Sequence, residues 1–241
     1  MRDDHINNTA EQILLVIPAY NEAENLPRVI RDITAQNADL HYIIVSDGST
    51  DDTVSLCEKN GYHYISLPVN LGLSGCFQTG MKYARDHGYR YVAQFDGDGQ
   101  HRAEDVQVLY RKMKEVDCDI VLGSRFLENK KGGSMREIGS RLIAAAIKLT
   151  TGVTITDPTC GIRLYNHRII ECFADRMNYG PEPDTISYLL KQGAKIAEAP
   201  VTIQNRIAGE SYLKPLNAIR YMTRMLISIL VIQNFRGRSS L

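Results

Sequence analysis

Five short apolar runs punctuate the first half of the chain, and between them apolar residues recur at helical spacing. Residues 13–17, 42–45, 62–67, 89–95 and 119–122 read as buried strands. Residues 22–36 (Leu26, Ile30, Ile33), the stretch around Val54 and Cys57, 72–86 and 104–116 read as helices. Thr50 or Asp51 is the expected cap of the second helix. Strand alternating with helix requires crossover connections, so the expected fold class is α/β, with a mainly parallel central sheet flanked by helices. In such sheets ligands bind beyond the carboxyl ends of the strands. Three polar clusters stand at strand ends, at 18–22, 47–49 and 96–100, and this fold gathers them around one crevice.

The second half is less regular. Residues 136–151 form an amphipathic helical pattern (Ile138, Leu142, Ile143, Ala146, Ile147), 181–192 reads as a helix and 194–203 as strand-like. Pro215, acceptable in a first helical turn, opens a long pattern through Leu216, Ile219, Met222, Leu226, Ile229 and Leu230. The expected division is a polar tail at 1–12, an α/β domain at 13–212, and a C-terminal amphipathic helix at 213–241 facing a membrane or a partner. A length of 241 residues is enough for one such domain with a sizeable core.

A hydrophobic content of 44% with 23% charged residues excludes a disordered chain. Net charge is zero but unevenly placed: residues 1–120 carry 11 Lys and Arg against 19 Asp and Glu, and residues 121–241 carry 17 against 9. The basic second half suits something anionic, a phosphate or an acidic leaflet, or is ordinary solvated surface. Nothing in it calls for nucleic acid. The five cysteines (Cys57, Cys76, Cys118, Cys160, Cys172) are odd in number and widely spaced, which fits reduced core thiols rather than disulfides or zinc. The first residues, MRDDHINNTAEQ, lack the apolar stretch of a signal peptide. No window reaches the roughly 18 apolar residues of a spanning helix. A soluble or peripheral protein is expected.

The sharpest chemical feature is DGDGQ at 96–100. Two carboxylates one residue apart at the end of a buried strand repel each other unless a cation lies between them. Magnesium or manganese there would also hold a diphosphate, and Gln100 adds a neutral oxygen. An EF-hand loop starting at Asp96 would need Gly at its sixth and Glu at its twelfth position, where this chain has His101 and Gln107. A plain Asp-Gly turn with solvated carboxylates is the competing reading. GxGxxG, the Walker A lysine motif and GxSxG are absent. His63, His87 and His101 are scattered and read as surface residues.

IPAYNEAENL (17–26), VSDGSTDDT (45–53), NLGLSG (70–75), FDGDGQH (95–101), GSR (123–125), DPTCGIR (157–163) and RIAGES (206–211) follow in order. As a set they resemble the family 2 glycosyltransferases of the GT-A fold, and among these the polyprenol-phosphate sugar transferases of the dolichol-phosphate mannose synthase type, over roughly residues 13–213. The resemblance implies that Pro18, Tyr20, Glu22 and Asp47 hold the base and ribose of a nucleotide-sugar donor. It implies that Asp96, Gly97 and Asp98, with Gln100, carry the diphosphate and a Mg2+ or Mn2+ ion. Arg125, Arg136 and Ser140 match acceptor-phosphate positions, Arg206 and Ser211 a loop closing over the donor, and Asp157 an acidic residue at the reaction centre. Where the family often has two aspartates before Gly-Ser, the first here is Ser46, which leaves Asp47 as the base-contacting carboxylate.

The implied reaction is inverting transfer to a polyprenyl phosphate, for surface or cell-wall polysaccharide, with N-acetylglucosamine or glucose from a UDP-sugar as the expected donor group. A phosphate acceptor is already anionic, so the work is positioning and electrostatics, which suits arginine. The expected setting is the cytoplasmic face of the membrane, held peripherally or by a separate small membrane protein, with a homo-oligomer left open. Three alternatives are a family 2 transferase elongating a glycan hydroxyl, with Asp157, Glu182 or Asp184 as base, a non-catalytic nucleotide-sugar-binding subunit, and a nucleotidyltransferase, which would need a Gly-rich basic loop where IPAYNEAENL stands.

Overall fold

The computed structural model describes residues 13–36, 40–97, 99–128, 135–177, 179–202 and 215–236. Strands β1 (Ile13–Ala19), β2 (Leu40–Asp47), β3 (Tyr64–Leu67), β4 (Tyr91–Gln94), β5 (Ile120–Ser124), β6 (Arg163–Asn166) and β7 (Ile196–Pro200) form one seven-stranded sheet in the order β3-β2-β1-β4-β6-β5-β7. All run parallel except β6, which is antiparallel to both β4 and β5. The helices are α1 (Leu26–Gln36), α2 (Thr53–Asn60), α3 (Gly72–Asp86), α4 (Ala103–Val116), α5 (Met135–Thr151), α6 (His167–Asp175), α7 (Pro183–Lys191) and α8 (Pro215–Ile227). Beyond α8 the helix passes through a π-helical stretch, Ser228–Ile232, into α9 (Gln233–Phe235).

β1 is apolar along nearly its whole length because both its faces are covered. Leu15, Ile17, Phe95, Val121 and Leu164 pack beneath α1, α2 and α4. Leu14, Val16, Val92, Leu122 and Tyr165 pack beneath α3, α5, α6, α7 and α8. Four of the five cysteines are buried and all are free, as their spacing suggested. Burial pushes the Cys76 and Cys160 thiols up to about 12.

Several expectations need correction. α1 starts at Leu26 rather than at 22, because Glu22 lies in the turn whose carbonyl receives the Asn25 and Leu26 N–H groups. The residue preceding α2 is Asp52, and it makes no side-chain cap. Asp51, one of the two expected caps, does supply its carboxylate to the start of the helix, accepting from the Thr53 N–H at 3.0 Å and from the Thr53 hydroxyl. Neither β6 nor α6 was foreseen. β6 is only four residues long (RLYN), too short for a period, and its last residue, Asn166, accepts the Ile169 N–H and caps α6.

The helix expected from Pro215 packs on the domain. Met225 and Ile229 enter the core, and a Cβ on Gly139 of α5 would stand 2.7 Å from Met222 Cε. Ile219, Ile227, Leu230, Val231, Ile232 and Phe235 stay exposed, as do Ile138, Leu142 and Leu149 of α5. Among the described residues, no helix is long and apolar enough to cross a membrane.

Candidate active site

The chain crosses from one side of β1 to the other between β3 and β4, so the sheet opens a crevice beyond the carboxyl ends of β1, β2 and β4. The three polar clusters meet there. Asn21, at φ 56°, turns its Oδ1 to accept the Thr50 and Asp51 N–H groups, and its own N–H donates to Ser49 Oγ at 3.2 Å. The Glu22 N–H donates to Thr53 Oγ1 at 2.9 Å, which ties the first cluster to the start of α2. Gly97 brings in the third, since a Cβ there would stand 3.3 Å from the Pro18 carbonyl oxygen. Tyr20 is exposed at the rim and Pro18 is half-buried in β1.

Asp47 is buried, and its two carboxylate oxygens accept the N–H groups of Leu71 (2.7 Å) and Gly72 (2.8 Å). These are unpaired donors at the start of α3, so Asp47 clamps β2 to that helix. Any contact with a base adds to those two bonds. Ser46 is fully buried and donates to Ser49 Oγ at 2.9 Å.

Asp96 keeps 37% of its side chain exposed, and its Oδ2 lies 3.4 Å from His101 Nε2. Burial raises the Asp96 carboxyl, but the hydrogen bond and charge of His101, with Gln94 and Arg163 behind them, outweigh it and hold the group below the ordinary carboxylate range. His101 is therefore a buried neighbour of Asp96 rather than a surface residue, whereas His63 and His87 are exposed. An ionised carboxylate and the Gln100 amide on one loop are the hard oxygen donors that suit Mg2+ or Mn2+. Among the described residues no three His, Cys, Asp or Glu side chains converge. Asp98, the second expected carboxylate ligand, lies outside the described residues.

Across the crevice Arg125 grips Asp157 with two parallel bonds, Nε to Oδ2 at 2.6 Å and Nη2 to Oδ1 at 2.8 Å. The Thr159 hydroxyl donates to Asp157 Oδ1 (3.1 Å), accepts from Arg125 Nη2 (3.1 Å) and lies 3.3 Å from Ser140 Oγ, so Thr159 links Arg125 to Ser140, which is itself buried. Asp157 is fully buried and does not face the crevice. Burial raises its carboxyl, and the Arg125 and Thr159 bonds more than reverse that, leaving it lowered. Arg125 is the exposed member of the pair, with 35% of its side chain accessible. Arg136 lies in the first turn of α5, its side chain outside the described residues, as are Arg206 and Ser211.

The loop 157–161 is held from behind by residues not foreseen as functional. Glu198 of β7 accepts the N–H groups of Thr156 and Asp157 at 2.8 and 2.9 Å. Arg163, buried in β6, donates to the carbonyls of Cys160 (3.1 Å) and Pro158 (3.0 Å). Nearby, Glu182 pairs with Arg224 of α8 at 2.8 Å, and burial raises its carboxyl despite that partner. The Ser228 hydroxyl donates to Asp184 Oδ2 at 2.6 Å. The only sequence signal for Arg163 was its place in DPTCGIR. For Glu198 there was none.

Residues 14–173 match the sequence model of the family Glycosyl transferase family 2. The chain is 28% identical to the polyprenol monophosphomannose synthase of Mycolicibacterium smegmatis, over 86% of this chain and 83% of that protein. It is 26% identical to the UDP-N-acetylglucosamine–dolichyl-phosphate N-acetylglucosaminyltransferase of Methanococcus voltae, over 78% of this chain and 84% of that one. Among solved structures, glucosyl-3-phosphoglycerate synthase from Mycobacterium tuberculosis with Mn2+, UDP-glucose and phosphoglyceric acid superposes with a TM-score of 0.69 at 19% identity, covering 95% of this chain and 82% of that chain. At that identity the likeness is one of fold, the GT-A arrangement of sheet and helices.

Proposed function

The chain belongs to glycosyl transferase family 2 and is a glycosyltransferase, and from that premise we propose that it transfers a sugar from a nucleotide-sugar donor to a polyprenyl phosphate at a membrane surface. The observation that carries this reading is the state of Asp157. A hydroxyl acceptor needs a general base near the attacking oxygen. Asp157 is fully buried and locked in a bidentate pair that favours its ionised form, so it is a poor base. A phosphate acceptor needs no base, and the exposed edge of Arg125 suits its charge. In this reading Arg125 touches the acceptor and Asp157 is a positioning residue.

An acceptor phosphate oxygen attacks the anomeric carbon as the bond from that carbon to the nucleoside diphosphate breaks, and its electron pair leaves with the diphosphate, giving inversion. A bound Mg2+ or Mn2+ would neutralise the diphosphate charge, held by Asp96, Asp98 and Gln100. This reading assigns Pro18, Tyr20, Glu22 and Asp47 to the nucleotide end, Gly97 to the close approach of the diphosphate loop to β1, and Arg206 and Ser211, by the family resemblance, to contact with the donor. The donor we favour is a UDP-sugar, with N-acetylglucosamine or glucose as the transferred group. UDP-bound structures with the same fold and a UDP-N-acetylglucosamine-using relative support that choice.

The exposed apolar side chains of α5 and the C-terminal helices, with Lys148 and Arg220 on the same elements, support peripheral seating on the inner leaflet. The test is transfer of radiolabel into undecaprenyl phosphate in detergent with Mn2+ or Mg2+, from UDP-N-acetylglucosamine, UDP-glucose and GDP-mannose in parallel. Label should enter the organic phase from a UDP-sugar and be lost with chelator and with Asp96→Asn. Transfer only to a sugar hydroxyl would reject the reading and point to Glu182, whose raised carboxyl is the better base.

A further inference from the structure

We propose that Gly161 is a positioning residue of the donor site: its missing side chain is what allows the Asp96 carboxylate to lie against His101 and the 157–161 loop. The proposal rests on the reading of Asp96 as a donor-site carboxylate. A Cβ on Gly161 would stand 2.4 Å from Asp96 Oδ2, 3.3 Å from Asp96 Cγ and 3.1 Å from His101 Nε2. Gly161 is not among the glycines with positive φ, so its backbone does not demand glycine. The demand is steric, and it comes from a functional side chain.

Which side would yield to an added methyl group follows from how each is held. The loop has little freedom. Glu198 holds its leading amides, Arg163 holds the Pro158 and Cys160 carbonyls, Arg125 holds Asp157, and Cys160 is buried in the core. The Asp96 side chain is 37% exposed, and its carboxylate can turn outward at the cost of its contact with His101. An added methyl group therefore displaces the carboxylate and parts it from His101, leaving the fold in place. The same loop carries Asp157, which orients Arg125, at its other end. Gly161 thus sets the distance between the carboxylate of the donor half and the arginine of the acceptor half, a separation that in-line transfer depends on.

The experiment is calorimetric titration of UDP in the presence of Mn2+ into the parent protein, Gly161→Ala, Asp96→Asn and the double variant, with thermal unfolding of each. UDP keeps its base and ribose contacts, so every titration stays measurable. Loss of a group that orients a metal ligand costs roughly 10- to 100-fold in affinity, and Gly161→Ala should show a loss of that order at an unchanged melting temperature. In the Asp96→Asn background it should cost little more, because it acts through Asp96. Parent-like binding by Gly161→Ala beside a weakened Asp96→Asn would overturn this proposal alone, as would full additivity in the double variant or unfolding of Gly161→Ala. Parent-like binding by Asp96→Asn would overturn both this proposal and the donor-site reading.

Discussion

At the scale of single residues, the site depends on groups whose partners are backbone or buried side chains. The Arg125–Asp157 pair is the clearest case. Asp157→Asn keeps the shape but leaves Arg125 without its anionic partner, and should lower kcat/KM for the lipid acceptor by roughly 100-fold while sparing donor KM. Arg125→Lys should do nearly as much, because a point charge does not reproduce the two-pronged grip. The pair also has a pH signature. The folded carboxyl lies below its unfolded value of about 3.9, so its stabilisation is complete above that pH and is lost as pH falls through the folded value. Acid unfolding of Asp157→Asn, followed by circular dichroism, should therefore be shallower below about pH 4. Asp47 and His101 show the limit of reading residues one at a time. Asp47 stands in a cluster that the sequence displays, but its bonds to Leu71 and Gly72 bridge 24 and 25 positions, which no local pattern displays. His101 read as a surface histidine because its partner, Asp96, becomes one only when the loop folds back.

At the scale of elements, long periodic segments were legible and short buried ones were not. α3 is found at the predicted residues, and α4 and α5 lie within one residue of theirs, because each buries several apolar positions at helical spacing. β6 presents Arg163, Leu164, Tyr165 and Asn166, which alternate in no polar-apolar sense because both faces are buried. Its Arg163 is a charged residue with 2% exposure, satisfied in part by carbonyls of the preceding loop. Asn166 ends this strand, caps α6 and donates to Asp119 at 3.0 Å. Asn166→Ala should destabilise the protein by about 1–2 kcal/mol, read as a lower urea midpoint at unchanged slope. A drop in slope instead would mean that β6 and α6 unfold apart from the rest of the sheet.

At the scale of the whole molecule, the C-terminal helices divide their apolar residues between the core and the outside. Met225 and Ile229 are buried, while Phe235 is 86% exposed beside exposed Val231 and Ile232. If this face seats on a membrane, Phe235→Glu should reduce flotation with anionic vesicles several-fold, and added salt should weaken binding of the parent as well. Because Phe235 touches little of the core, the melting temperature should not move, and a fall in it would assign the residue to packing. The sequence by itself determined the α/β class and the three polar clusters at strand ends that meet in the crevice. These follow from local periodicity and from motifs set at fixed distances from strand ends, and both are properties of neighbouring residues. Only the tertiary structure decided that β6 runs antiparallel between β4 and β5, that Asp157 is buried behind Arg125, and that Gly161 faces Asp96. Each of those facts is a contact between segments far apart in the chain, made when the two faces of the sheet bury their apolar side chains together, and no spacing within either segment encodes it.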